Sequence, residues 1–415
     1  MSSILFMKKK VIIIGQGFTA RLSIIRSVAE IGCEVTLIVL THRRQSDGSL
    51  IEKMPIDAYS KYVNRTLFCE TYNSDMLMDI LLSQCVDSEQ KPFVFPDNDF
   101  SAAVVGNHYN ILKTHFYCPH IKGCQSTVEM WMDKVRQKKL ARELGLNVAS
   151  SAVIEVRDKQ FVIPANIQYP CFAKALISKV GSKWSLKKCD SKEELQKHLE
   201  RLPLLKAEWK DIDILVEDFK QIDTEYALVG FSDGETVVIP GIIEILKLAH
   251  GTHLGVAVQG KVYPVPEDKQ SLMATFREFI LRTGFVGVFD IDFYVSQSKL
   301  YFCELNLRFG GSGYAYTKLG VNLPVMMIKS FLGEGIDGMN KVIHSTATFF
   351  NERMAMDDWL NGYMSIKEYK RIRKESDIQF LYDEDDVDPQ KMFEKELRKK
   401  QCRIAIKQLL RKVFK

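Results

Sequence analysis

The sequence lacks the features that mark membrane, secreted and disulfide-stabilised proteins. No run among its 415 residues approaches about 20 apolar residues, so we predict no membrane-spanning helix. Nine cysteines are scattered without a CxxC pair, and the gaps between His115, Cys118, His120 and Cys124 match no usual structural zinc site. The first six residues are too short for a signal peptide before the lysines at 8–10, so we expect a reducing, cytoplasmic location.

Excess charge is also scarce outside the end of the chain. The formal net charge is +5, but residues 391–415 hold ten Lys and Arg against two Glu, which leaves the rest close to neutral. A nucleic-acid-binding face is therefore not expected. In the tail, Ile406, Leu409 and Val413 recur at helical spacing, which predicts a basic amphipathic helix. Such a helix either docks on the protein, with the acidic run 383–388 as a candidate partner, or makes a peripheral contact with a membrane surface.

What the sequence does contain is typical of a globular protein of two or three domains, with 46% apolar and 26% charged residues. The chain opens as a β-α-β unit, because the apolar strand 10–14 is followed by G-x-G-x-x-A at 15–20 and then by helical spacing. The glycines are compatible with a dinucleotide phosphate loop. We favour a loop that has no cofactor, because no acid ends the next strand to bind a ribose.

A cluster of polar residues follows a later strand, at Asp97, Asn98 and Asp99. Ligands of open α/β sheets bind at the carboxyl ends of strands, so these side chains are candidates for a substrate site. The same residues are also typical of a turn that caps the next helix. The sequence leaves both alternatives open.

The strongest local signal lies between residues 284 and 313. One apolar strand ends on Asp292, a Gln-Ser turn follows, and a second strand carries Glu304 before Asn306. If the strands pair as a hairpin, alternate residues share a face, so Asp292 and Glu304 would meet with Asn306 beside them. Three oxygen ligands that leave room for phosphate suit Mg²⁺, or Mn²⁺ in its place, and Arg308 would meet the transferred group. The alternative is an ordinary polar hairpin face.

This E-x-N-x-R pattern at 304–308 resembles the metal-binding signature of the ATP-grasp superfamily, and five further segments resemble the rest of that signature in the right order. These are Met132–Lys134, Tyr169–Lys174, Val180–Lys183, Leu215–Phe219 and Thr224–Tyr226. The resemblance implies a role for each segment. Phosphates would contact Lys134, Lys174, Gly181, Ser182 and Lys183; adenosine would contact Glu217, Phe219 and Glu225; metal would bind Asp292, Glu304 and Asn306; and the catalytic residues would be Arg308 and Lys183.

The resemblance also implies a fold of mixed α/β and α+β class, with a parallel α/β (pre-ATP-grasp) domain followed by a two-lobed ATP-grasp domain built on antiparallel sheets. We place the amino-terminal domain at 1–118, a linker helix and small lobe at 119–230, a large lobe with the Mg²⁺ and ATP site at 231–345, and a carboxy-terminal extension at 346–415. Two departures stand out: the loop 176–184 has a single glycine, and Leu307 replaces a proline that is common in the motif.

The activity that the resemblance implies is an ATP-dependent carboxylate–amine ligase of the carbamoyl-phosphate-synthase-like or D-aspartate-ligase-like kind. Its partners would be a small-molecule carboxylate and an amine, with ATP and Mg²⁺ as cofactors and a homodimer left open. One alternative is an enzyme that activates bicarbonate as carboxyphosphate. Another is a nucleotide-binding regulator without catalysis. The identities of the acid and the amine do not follow from the sequence, because such pockets are built from loops without a portable signature.

Overall fold

The computed structural model describes residues 8–41, 50–123, 126–177, 185–205, 210–250 and 255–413, with the side chains of 205 and 401–413 excepted. The amino-terminal part is a four-stranded parallel sheet in the order β3-β2-β1-β4. Its strands at 10–15 and 93–96 are apolar and buried on both faces because helices cover the sheet on both sides. Its elements are β1 (Lys10–Gly15), α1 (Phe18–Ala29), β2 (Glu34–Thr41), β3 (Val63–Glu70), α2 (Ser74–Gln84), β4 (Phe93–Pro96), α3 (Asp99–Asn107) and α4 (Tyr109–Leu112).

A short strand and a helix lead from this domain into a small antiparallel sheet, whose strand order is β6-β9-β7-β8. One helix, α6, packs its leucines onto this sheet. The elements of this part are β5 (His120–Ile121), α5 (Lys134–Glu143), β6 (Ser151–Arg157), β7 (Cys171–Ala175), β8 (Lys187–Cys189), α6 (Lys192–Leu205) and β9 (Asp211–Asp218).

The rest of the described chain forms a large, mainly antiparallel sheet in the order β15-β14-β10-β12-β13-β16-β17, which β5 and β11 extend at the side. Its elements are β10 (Thr224–Ser232), β11 (Val237–Val238), β12 (Ile242–Leu248), β13 (Ala257–Tyr263), α7 (Gln270–Thr283), β14 (Phe285–Ser296), β15 (Lys299–Asn306), α8 (Tyr314–Lys318), α9 (Leu323–Phe331), β16 (Ala347–Phe350), α10 (Glu352–Leu360), α11 (Ile366–Glu375), β17 (Ile378–Gln379) and α12 (Asp388–Val413).

Two predicted domain boundaries differ from this topology. The boundary at residue 230 falls inside β10, which pairs with β12 and β14 of the large sheet. The extension predicted to begin at residue 346 contributes β16 and β17 to the same sheet. A strand pattern predicts that a segment is a strand, whereas its sheet depends on partners distant in sequence, which explains both differences.

The amino-terminal domain and the large lobe share one hydrophobic core. Buried residues of α1, such as Leu22 and Ile25, belong to the same cluster as Val229 and Tyr316 of the large lobe. Burial of this kind holds the two parts in a fixed relation. The cleft between them is therefore built on rigid elements.

The amino-terminal half of α12 docks on the protein, which is one of the two alternatives for the tail. Phe393 is buried, Glu396 pairs with Lys53 at 2.8 Å, and Lys400 lies 3.6 Å from Asp357. Side chains from 401 onward, including the predicted apolar stripe, lie outside the described residues. Within the described part of the chain, no helix has the length and apolarity needed to cross a membrane.

Among the described residues, the acidic run, which was a candidate partner of the tail, pairs mainly with the body of the protein. Asp386 pairs with Arg26 of α1 at 3.0 Å, and Asp383 pairs with Lys318 at 2.7 Å. Only Asp388 contacts the tail among the described pairs, through Lys391 at 2.9 Å. The run therefore fastens the carboxy-terminal segment to the body of the protein.

Candidate active site

The two strands that carry the predicted metal ligands pair as the expected hairpin. Asp292 lies directly opposite Glu304 across β14 and β15, and the Gln297-Ser298 turn has positive φ at both residues. Asn306 Nδ2 lies 3.4 Å from Asp292 Oδ2. The hairpin therefore brings the three predicted oxygen ligands together on one face.

A third acidic residue, Asp290, joins this face, and the sequence analysis did not single it out. It precedes Asp292 by two residues and pairs with Asn306. Strand periodicity alone would have placed it beside the other ligands. Its Oδ1 is enclosed and has no hydrogen-bond partner among the described residues. Burial raises the pKa of Asp290 to about 7, against the opposing charge of Arg308.

The carboxylates on this face repel one another, and a bound cation would relieve that repulsion. Burial and then the neighbouring Asp290 raise the pKa of Asp292 well above its usual range. Burial opposes ionisation of Glu304, but Lys134 and Lys174 hold its pKa below its usual range. No group of three or more His, Cys, Asp or Glu in the described ranges could by itself hold a metal ion. Carboxylate and amide oxygens are hard donors, so these residues would suit a hard cation that also takes oxygens from a phosphate.

The predicted phosphate lysines are buried beside these ligands. Lys134 Nζ lies 3.5 Å from Glu304 Oε2, and Lys174 Nζ lies 2.8 Å from Glu217 Oε2. A second lysine on α5, Lys138, also pairs with Glu217 and was missed. It lies four residues from Lys134, so helical spacing places both on one face. Burial and the charge of Lys174 lower the pKa of Lys138 to about 7.

The adenosine residues predicted from the resemblance are arranged less simply. The Glu217 carboxylate bridges Lys138 and Lys174, so each of its two oxygens has a lysine partner. Phe219 packs under Lys188, whose Nζ lies 4.9 Å from the ring centroid. Glu225 does line the cleft, and burial and then Glu304 raise its pKa. Gly181, Ser182 and Lys183 lie outside the described residues.

The amino-terminal glycine loop is filled by a protein carboxylate. Asp97 accepts hydrogen bonds from the backbone N–H groups of Gln16 at 3.1 Å and Gly17 at 2.8 Å. A Cβ on Gly15 would stand 1.4 Å from Asp97 Oδ1, so only glycine fits there. The amides that would receive a pyrophosphate are thus already occupied, which favours the interpretation of a loop without a cofactor.

The remaining members of the Asp97–Asp99 cluster divide between the two roles that the sequence left open. Asn98 caps α3 in a reciprocal capping box with Ser101. Asp99 instead accepts a hydrogen bond from Arg308 Nε at 2.9 Å. This hydrogen bond therefore holds Arg308 between the amino-terminal domain and the face that carries Asp292 and Glu304.

One cleft of about 990 Å³ lies between the amino-terminal domain and the large lobe, and it is lined by Lys134, Lys174, Glu225, the three carboxylates with Asn306, Arg308 and residues 97–99. The small sheet contributes Lys174 and Ala175 to the lining, and the amino-terminal domain contributes residues 16–21 and 53–57. Lys134 contacts Glu304, Glu304 lies opposite Asp292, and Arg308 contacts Asp99 of the amino-terminal domain. The acidic residues therefore lie between a lysine of α5 and the amino-terminal domain.

A parallel α/β domain, a small antiparallel lobe and a large antiparallel lobe that together enclose such a cleft define the ATP-grasp fold, and this chain has that fold. The protein resembles the L-amino acid ligase from Bacillus licheniformis, with 15% identity over 82% of this chain and 79% of that chain and a TM-score of 0.58.

It also resembles a biotin carboxylase from Campylobacter jejuni, at 16% identity over 82% of this chain and 74% of that chain, with a TM-score of 0.60. A carboxyaminoimidazole ribonucleotide synthase from Aspergillus clavatus, solved with ATP, matches at 14% identity over 83% of this chain and 82% of that chain, with a TM-score of 0.60. No family model matches the sequence. These likenesses establish the fold and do not fix a substrate.

Proposed function

We propose that the protein is an ATP-dependent carboxylate–amine ligase. The observation that carries this proposal is the placement of Asp292, Glu304 and Asn306 between the buried lysines and Arg308 within one cleft. Lysines and a hard cation neutralise a polyphosphate, and an arginine beyond them can stabilise the group being transferred. The fold relatives solved with ATP or with ADP are consistent with nucleotide binding at this site.

In the proposed reaction, a substrate carboxylate oxygen attacks the γ-phosphorus of ATP, and the bond to the β,γ-bridging oxygen breaks to release ADP. An amine then attacks the carbonyl carbon of the acylphosphate and displaces phosphate, with loss of its proton, to give an amide. Mg²⁺, held by Asp292, Glu304 and Asn306, would supply charge neutralisation at the phosphates. Lys134 and Lys174 would bind phosphate oxygens, Glu217 would orient Lys174, and Arg308, oriented by Asp99, would hold the transferred phosphoryl group.

A screen with hydroxylamine tests this proposal, because hydroxylamine replaces an unknown amine and traps an acylphosphate as a hydroxamate. Amino acids, short peptides, hydroxy acids and sugar acids would each be offered with ATP and Mg²⁺. We expect ADP release to depend on one class of acid and to match hydroxamate formation. ADP release with bicarbonate alone would favour carboxyphosphate chemistry. ATP binding without ADP release under any acid would favour a regulator.

A further inference from the structure

A second cavity, of about 540 Å³, lies among α10, α11 and α12 and is separate from the active-site cleft. Two of these helices line it with one face each, formed by residues at positions i, i+3, i+4, i+7 and i+8. On α11 this face is Ile366, Tyr369, Lys370, Arg373 and Lys374, and on α12 it is Gln390, Phe393, Glu394, Leu397 and Arg398. Helix faces of this pattern normally pack against each other. Here they leave a space in the size range of ligand pockets.

The inner wall of this cavity is apolar and aromatic. Met356, Tyr369 and Phe393 are buried there, and the Trp359 ring lies 6.5 Å from that of Tyr369. Such a wall favours a ligand with an apolar body, because the favourable free energy of binding grows roughly in proportion to the apolar area removed from water.

The rim of the cavity carries unbalanced positive charge. Lys370, Lys374 and Arg398 have no carboxylate within ion-pairing distance in the part of the chain whose side chains are described. The lining as a whole holds four basic residues, which include Arg373, against two acidic ones, so a positive excess remains. Glu352 accepts backbone N–H groups of residues 380–382, and Glu394 accepts a hydrogen bond from Gln390. The rim therefore suits an anion.

We propose that this pocket binds a small organic anion with an apolar body and that its occupancy is communicated to the active site. The two cavities share a wall. On α10, Glu352 faces the pocket whereas Arg353 and Met354 line the cleft; after β17, Leu381 faces the pocket and Phe380 the cleft. A ligand that draws α11 and α12 together would press on this shared wall, which gives the pocket a regulatory role.

Isothermal titration of the full-length protein with octanoate tests the assignment. We expect saturable binding, at least tenfold tighter than that of 1-octanol or octylammonium. Lys370→Glu/Arg398→Glu should weaken octanoate binding at least tenfold. The matched control is Lys367→Glu/Lys395→Glu, which makes the same charge change on the same two helices at exposed residues outside the pocket, and it should bind as the wild type does.

Saturating Mg·ADP should not displace octanoate, because the pocket is not the nucleotide cleft. The proposal is overturned if octanoate shows no saturable binding, if the two double variants bind it equally, or if Mg·ADP competes with it. These outcomes are independent of ligase activity, so they separate this proposal from the proposed function. Communication with the cleft predicts at least a twofold change in the Kd of Mg·ADP with octanoate bound, and an unchanged Kd would contradict the regulatory role.

Discussion

Replacing Glu304 by glutamine should abolish Mg²⁺-dependent ATP turnover while leaving the fold intact. The side chain keeps its volume and loses its charge. The lost attraction to Lys134, at 3.5 Å, is partly offset by relief of repulsion from Asp292 directly opposite. We therefore expect the free energy of unfolding to change by less than about 1 kcal/mol.

A bound cation would lose its attraction to the Glu304 carboxylate, and no relief of repulsion offsets that loss. Removing a unit charge about 4 Å from another costs about 4 kcal/mol at an effective dielectric constant of 20. That corresponds to a rate lowered about a thousandfold if the loss falls on the transition state. The assay is ADP release at several Mg²⁺ concentrations, with urea denaturation as the check on folding.

The control for this experiment is Glu278→Gln, the same change at an exposed position of α7. It should retain the wild-type rate. If Glu304→Gln also turns over ATP within threefold of the wild type, the assignment of the acidic face to the metal is wrong.

Three further predictions follow from the same geometry. Lys174→Ala should lower kcat about a hundredfold, as loss of one preorganised charge-stabilising donor does; steady-state ADP release measures it, and an unchanged kcat would contradict the phosphate role. Asp97 has a folded pKa raised from 3.8 to about 6, so its contribution to stability is present below about pH 4 and lost as the pH rises through 6. The free energy of unfolding of Asp97→Asn should therefore rise by about 3 kcal/mol relative to that of the wild type as the pH increases from 4 to 7, and urea denaturation measures it. Parallel pH profiles of the two proteins would refute this. Phe393→Ala should destabilise the protein by about 3 kcal/mol because this ring of α12 is buried against the body of the protein, and a wild-type midpoint in urea would show that α12 does not dock.

Local patterns were sufficient to predict the elements that carry the site. Alternation along β14 and β15 predicted that Asp292 and Glu304 meet, and the hairpin has that register. The same periods would have identified Asp290 two residues earlier on its strand and Lys138 four residues later on its helix. Neither residue belongs to the superfamily signature, so the resemblance did not indicate them.

Contacts between distant segments were beyond the reach of sequence patterns. Asp97 fills the loop at Gly15 and Gly17 from about 80 positions away, and nothing near those glycines indicates it. Glu217 was assigned to adenosine because its segment resembles a hinge, whereas its carboxylate binds lysines from two other elements. Such pairs depend on which elements the fold brings together, and a single sequence does not encode that as a local period.

The central claim is that a carboxylate oxygen attacks the γ-phosphate of ATP. The acid identified by the hydroxylamine screen can be labelled with ¹⁸O in its carboxylate, and the phosphate released on turnover with the amine substrate can be examined by ³¹P NMR. The proposed acylphosphate predicts one ¹⁸O atom in each phosphate released, because the bridging oxygen leaves with phosphorus when the amine attacks carbon. Phosphate without label would contradict the account, and label recovered in AMP would point to adenylate chemistry instead.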